Sequence, residues 1–122
     1  MNTKYIKVIL ITNLIFLTLS FCKQSQEEIT QAKEQWDSAD SKNFLTWSQA
    51  VDYCKSKQAR LPTIKELKAA VKIGITKDWQ GSNYWTSEEI KDAARYTYVY
   101  SFTNKDYFEA DKSGIKDTRC IK

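Results

Sequence analysis

Histidine is absent from this 122-residue chain, proline occurs once and cysteine three times. Without histidine the chain lacks the commonest general base and the commonest zinc ligand. No serine or cysteine therefore has a histidine to activate it as a nucleophile. A long apolar run is missing too. Residues 8–19 are almost wholly apolar but are broken by Thr12, Asn13 and Thr18, whereas a membrane-spanning helix needs about 20 apolar residues. No internal repeat is present. Charge of one sign is scarce: 19 basic residues face 15 acidic ones, a net of +4. Removing residues 1–21, which carry Lys4 and Lys7 and no acid, lowers the net charge to about +2. That is too close to balance for a nucleic-acid partner, which asks for a clustered basic face.

What is there begins with an anchor. Lys4 and Lys7, a short apolar stretch and then polar sequence describe a secretory signal. Leu19-Ser20-Phe21-Cys22 resembles a bacterial lipobox, whose cysteine receives a diacylglycerol before cleavage. Leu19 and Ser20 suit that pattern, whereas Phe21 stands where a small residue is usual. An uncleaved anchor and ordinary secretion with a free Cys22 are the other readings. A free thiol exposed in an oxidising compartment is a liability, which favours lipid. The expected partner is then membrane lipid through Cys22. The expected location is extracytoplasmic, lipid-anchored to a bacterial membrane, with the outer membrane or cell surface favoured. The odd cysteine count resolves accordingly: Cys22 takes lipid, and Cys54 and Cys120 pair.

Three segments follow. Residues 1–21 are a lipoprotein signal peptide, residues 22–42 a polar tether, and residues 43–122 a domain. The tether has Ile29 and Trp36 as its large apolar residues, too few to offset its ordering entropy. Alternatively Trp36 docks back and the segment is the domain's first ordered element. A domain of roughly 80 residues is marginal on core burial alone and gains from a staple. Thr46-Trp47-Ser48-Gln49 and Thr63-Ile64-Lys65-Glu66 are both capping boxes. Trp47, Ala50, Val51 and Cys54 share one face of the first helix, and Ile64, Leu67 and Val71 one stripe of the second, which Gly74 stops. Arg60-Leu61-Pro62 is extended, because the residue before proline avoids the helical region. A short strand is expected at Tyr84-Trp85-Thr86. The strongest strand is expected over residues 95–102, where Tyr96, Tyr98, Tyr100 and Phe102 alternate with Thr97, Val99 and Ser101. After a turn at Asn104-Lys105-Asp106, residues 107–110 return antiparallel. Residues 118–121 form a last strand carrying Cys120. Helices first and strands later make an α+β domain.

W-x-x-A-x-x-x-C ending at Cys54, then A-R-L-P-T-I-x-E-L from Ala59, Y-W-T-S from Tyr84, a Tyr/Phe-rich strand and R-C-I ending at Ile121 resemble the Lcl C-terminal domain family. The resemblance covers residues 45–121. It implies a variant C-type-lectin-like fold: two N-terminal helices packed on a small, twisted, mostly antiparallel sheet, with one disulfide between Cys54 and Cys120. Trp85 and Phe102 match core aromatics of that family. Lys105 stands where a glycine is common in the turn after the central strand.

Sugar-binding C-type lectins hold calcium through E-P-N or Q-P-D and W-N-D segments, and neither is present here. Asp111, Asp117, Asp78 and Glu88 flank loops and read as solvated acids, not as a calcium site. Glu88-Glu89 reads as water-facing in place of a glycosidase pair. No catalytic residue, metal ligand or cofactor is expected, and the chain reads as a non-enzyme. The binding candidates are Trp79, Asn83, Lys112 and Lys116, on the polar loops over residues 75–83 and 112–117. Trp79 reads either as packing over the second helix or as an exposed ring for a sugar or a protein. Lys65, Lys68 and Lys72 offer a second, basic surface, or a solvated helix face. The expected activity is a calcium-independent, lectin-like binding or adhesion module for an extracellular protein or glycan. A structural envelope lipoprotein is the alternative.

Overall fold

The computed structural model describes residues 25–122, so Cys22 and the apolar run of residues 8–19 lie outside the described part. The chain divides into two compact units, Met1–Ala32 and Lys33–Lys122. Residues 25–35 are helical. Among the described residues no helix is long and apolar enough to cross a membrane.

The second unit is α+β. Two helices, α1 (Trp47–Ser56) and α2 (Ile64–Ile73), come first, followed by a 3-10 turn at Ile75–Asp78. Three strands then form one sheet in the order β1 (Asn83–Glu89), β2 (Tyr96–Ser101) and β3 (Asp106–Asp111), antiparallel throughout. Both helices start where the sequence places their caps. The Thr46 and Thr63 hydroxyls accept from the Gln49 and Glu66 N–H groups, and the Gln49 and Glu66 side chains reach back. Gly74 ends α2 at φ +80, a conformation that glycine adopts without a Cβ penalty.

Neighbouring residues of a strand point to opposite sides, and β1 and β2 bury residues on both faces, while β3 is largely exposed. Trp85 and Val99 are cross-strand partners on one face. They pack with Ala50 and Cys54 of α1, Leu61 and Cys120. Tyr84 and Tyr100 are partners on the other face and pack with Leu67 of α2, joined by Trp36, Trp79 and Phe102. Cys54 and Cys120, both fully buried, are joined by the disulfide at a sequence separation of 66.

Two expectations change. The first strand is longer, Asn83–Glu89, and takes in Glu88 and Glu89. Both faces of β2 are covered at least in part: Thr97, Val99 and Ser101 are buried on one, and on the aromatic one Tyr100 is buried, Tyr98 half-buried and Tyr96 exposed. Thr97 tolerates full burial because its hydroxyl donates to the Glu88 carbonyl at 2.7 Å. Residues 118–121 are not a strand. This stretch meets Trp36 and Arg60 through single bridges at Ile121, and the preceding Lys116 and Asp117 bridge to Leu45 and Tyr84. Four partners from four places in the chain satisfy it point by point, so no continuous ladder forms.

The domain also starts earlier than residue 43. The Asp37 N–H donates to the Cys120 carbonyl at 2.9 Å, the Ser41 N–H to the Thr118 carbonyl at 2.9 Å, and the Lys122 N–H to the Gln35 carbonyl at 2.8 Å. Asp40 forms an ion pair with Arg119 at 2.7 Å, both side chains being nearly buried. Residues 36–42 are therefore an ordered edge of the domain, and the polar composition that reads as tether is used in hydrogen bonds to the C-terminal stretch.

Candidate functional site

Trp79 follows the 3-10 turn and is half-buried. Its ring meets Trp36 at a centroid distance of 4.9 Å, Tyr84 at 5.5 Å and Phe102 at 5.6 Å. The Arg119 guanidinium lies over it at 4.5 Å. Three rings and a cation surround the indole, so it serves mainly as packing under a cleft of about 430 Å³ whose lining includes Trp36, Ile75 and Asp78. Arg119 is held in turn by Asp40 and by the Asp37 carbonyl, to which it donates at 2.8 Å. The Tyr84 hydroxyl donates to Asp40 at 2.7 Å and accepts from the Gly81 N–H at 2.9 Å. Burial, with the Asp40 carboxylate beside it, pushes the Tyr84 phenol up. The charges of this network are consumed internally.

The other three sequence candidates do not join Trp79. Lys112 lies 4.2 Å above the Trp47 ring and pairs with Glu89, which fixes it on the α1 side. Asn83 and Lys116 come together at a shallow concavity with Phe44, Ile115 and Asp117. Lys116 is half-buried above the Trp85 ring, at 5.8 Å. The Asp117 carboxylate accepts from the Ser82 and Asn83 N–H groups. The two loops meet, but their polar groups are mostly spent on holding each other.

A different surface has uncommitted rings. Tyr98 and Tyr107 meet edge to face at 5.3 Å on the α2 side of the sheet and belong to neither core cluster. Their placement follows from register, since Tyr107 opposes Tyr100 and Tyr98 is two residues along the same face. Tyr107 is 44% exposed, because β3 is an edge strand with little above it. The first turns of α2 run alongside and contribute Ile64, Lys65 and Lys68, and β1 contributes Glu88. Together they line an open groove of about 400 Å³. The Lys68 ammonium stands 5.2 Å from the Tyr107 ring centroid. Two aromatic faces, an aliphatic floor, two ammonium donors and one carboxylate acceptor converge there. Such a set can stack a planar or CH-rich face and hydrogen-bond its edge.

The groove is tied to the scaffold at its α2 end. Glu66 accepts from Arg60 through both carboxylate oxygens, at 2.7 and 2.9 Å, and from the Thr63 N–H. The Arg60 guanidinium, then the capping bonds, hold its carboxyl at about 2, below the ordinary 4.5. Among the described residues no group of three or more His, Cys, Asp or Glu side chains is placed to hold a metal ion. Tyr98 and the lysine stripe were visible in the sequence as a strand aromatic and a helix face. Their conjunction was not, because it depends on which side of the sheet α2 covers.

Comparison with curated proteins gives no match. A family described as a domain of unknown function, DUF8780, matches residues 36–113. The match begins at Trp36, where the bridging of the domain edge also begins. It takes in Trp79, both helices, all three strands and every residue of the tyrosine groove. The chain belongs to the DUF8780 family.

Proposed function

We propose that this protein is a lipid-anchored extracytoplasmic binding module that takes a glycan in the groove between α2 and the β2–β3 hairpin, without calcium. The observation that carries the reading is the Tyr98–Tyr107 pair, half-buried and exposed in turn, beside Lys65 and Lys68: large rings outside both cores, set on rigid elements, with donors at their edge. Aromatic surface held in place by a sheet is low in entropic cost to use, and stacking is how rings recognise the apolar face of a sugar. Lys65 and Lys68 donate to hydroxyl or carboxylate oxygens, and Glu88 accepts from hydroxyls.

Three further lines support the reading. The lipobox-like Leu19-Ser20-Phe21-Cys22 supports lipid attachment at Cys22 and delivery beyond the cytoplasmic membrane. A buried disulfide between Cys54 and Cys120 suits an oxidising compartment. The resemblance to the Lcl C-terminal domain family, with a first helix bonded by disulfide to the C-terminal stretch and a small antiparallel sheet, supports a C-type-lectin-like variant. That last support is an analogy of fold, so the function is argued from the groove.

The test is a glycan array and an array of extracellular matrix proteins, probed with the full chain and with Tyr107→Ala and Lys68→Ala, each with and without chelator. The expected result is a glycan signal that survives chelator and weakens by more than about tenfold in both variants. Binding confined to proteins, or abolished by chelator, contradicts the proposal. A signal unchanged in both variants moves the site elsewhere.

A further inference from the structure

The two most exposed large hydrophobic side chains among the described residues are Phe44, at 61%, and Ile115, at 56%. They lie on different loops but line the same two adjoining concavities, together with Asp117. Single exposed apolar residues are ordinary; two at one tip form a patch that needs an occupant. The tip is also rigid. The Leu45 N–H donates to the Lys116 carbonyl and the Lys116 N–H to the Leu45 carbonyl, both at 3.0 Å, directly behind Phe44 and Ile115. The loops therefore cannot fold the two side chains inward.

The charges around the tip are sorted. Its two acids face inward: Asp117 accepts from the Ser82 and Asn83 N–H groups, and Asp40 is paired with Arg119 and Tyr84. Lys42 is exposed, and the half-buried Lys116 amine, 5.8 Å from the Trp85 ring centroid, donates to the neighbouring Ile115 carbonyl. Two apolar side chains flanked by two ammonium groups, with Asp40 paired to Arg119 and Asp117 turned to the Ser82 and Asn83 N–H groups, match an interface where acyl chains meet anionic headgroups.

We propose that the Phe44–Ile115 tip rests in the headgroup layer of the membrane that carries the chain, with Lys42 and Lys116 at anionic lipid. This rests on the anchoring reading of Cys22. Trp36 is only 14 positions beyond Cys22, which caps the reach of the domain at about 50 Å even for a fully extended chain. Such a short link keeps the domain at the surface, so even a weak patch engages at high effective concentration. The consequence is a preferred orientation, with the tip facing lipid.

The test uses the full chain, exported and processed in a bacterial host, isoleucine-methyl labelled and placed in nanodiscs of phosphatidylglycerol and phosphatidylethanolamine carrying a nitroxide lipid. Ile73, 40% exposed at the end of α2, is the internal reference. The Ile115 methyl is expected to relax severalfold faster than the Ile73 methyl, with the excess lost in the Phe44→Ser, Lys42→Ser double variant. Equal relaxation while the chain stays on the discs overturns the membrane contact and leaves the anchor standing. A chain that leaves the discs overturns the anchor and the contact with it. An excess that tracks the number of chains per disc marks a contact between copies and also overturns the proposal.

Discussion

The two faces of the sheet are built differently. On the α1 face, Ala50, Cys54, Leu61, Val99 and Cys120 close around Trp85, and the disulfide locks the arrangement. The Trp47 and Trp85 indole N–H groups donate to the Thr86 and Leu45 carbonyls, at 2.9 and 2.6 Å, so even the large rings leave no loose polar end. On the α2 face Leu67, Tyr84 and Tyr100 form a smaller buried cluster, around which Trp36, Trp79 and Phe102 pack, with Arg119 over Trp79. That face runs out at β3 into the open Tyr98–Tyr107 groove. The α1 side holds the fold, with Phe108 of β3 exposed at its edge, and the α2 side combines holding with a tyrosine groove. Exposure of aromatics here follows from the edge position of β3 and not from a surplus of aromatic residues.

The largest effect that would sharpen this contrast is at Trp79. Trp79→Ala removes a ring with four aromatic or cationic neighbours and should cost about 3–5 kcal/mol, read as a lowered urea midpoint. If stability barely moves while glycan binding is lost, Trp79 is a ligand ring and the division of labour drawn above fails. Next comes the α1 face. Cys54→Ala should destabilise by about 2–5 kcal/mol, since the bond closes a 66-residue separation. The same loss should leave Tyr107 binding intact in the surviving folded fraction.

A smaller effect is expected with pH. Glu66 has its folded carboxyl at about 2 against an ordinary 4.5, so its contribution is complete above pH 4.5 and is lost as pH falls toward 2. Glu66→Gln keeps the capping geometry but not the charge pair with Arg60. Its melting temperature should therefore lie below that of the wild type at neutral pH and converge with it on acidification. A gap that persists at pH 2 would mean that the ion pair is not its source. The smallest effect is at the β2–β3 turn, where Lys105 has φ +53. Lys105→Gly should stabilise by up to about 1 kcal/mol, the left-handed strain relieved less the added chain entropy. Destabilisation would show that the Lys105 side chain holds the hairpin.

Local features were legible in the sequence. Both helices, both capping boxes, the Gly74 stop and the β2–β3 hairpin follow from residues within one or two turns of each other. The Cys54–Cys120 pairing was legible because reading Cys22 as a lipid site leaves two thiols. What escaped was everything built from distant single contacts. Residues 36–42 read as tether by composition, yet Asp37, Asp40 and Ser41 are bound by Arg119, Cys120 and Thr118. Trp79 sits in a polar sequence, but its neighbours come from positions 36, 84, 102 and 119. Alternation correctly gave β2 two faces. It could not say that the Thr97–Val99–Ser101 side would be the fully buried one, because that depends on α1 and the disulfide lying there.

The central claim is that recognition uses the open end of the α2 face. It is tested most directly by mapping chemical-shift changes in the isotope-labelled chain as the best glycan from the array is added. The account predicts that the changes centre on Ile64, Lys65, Lys68, Tyr98 and Tyr107. Changes centred on Trp36 and Trp79, or on Asn83 and Lys116, would contradict it.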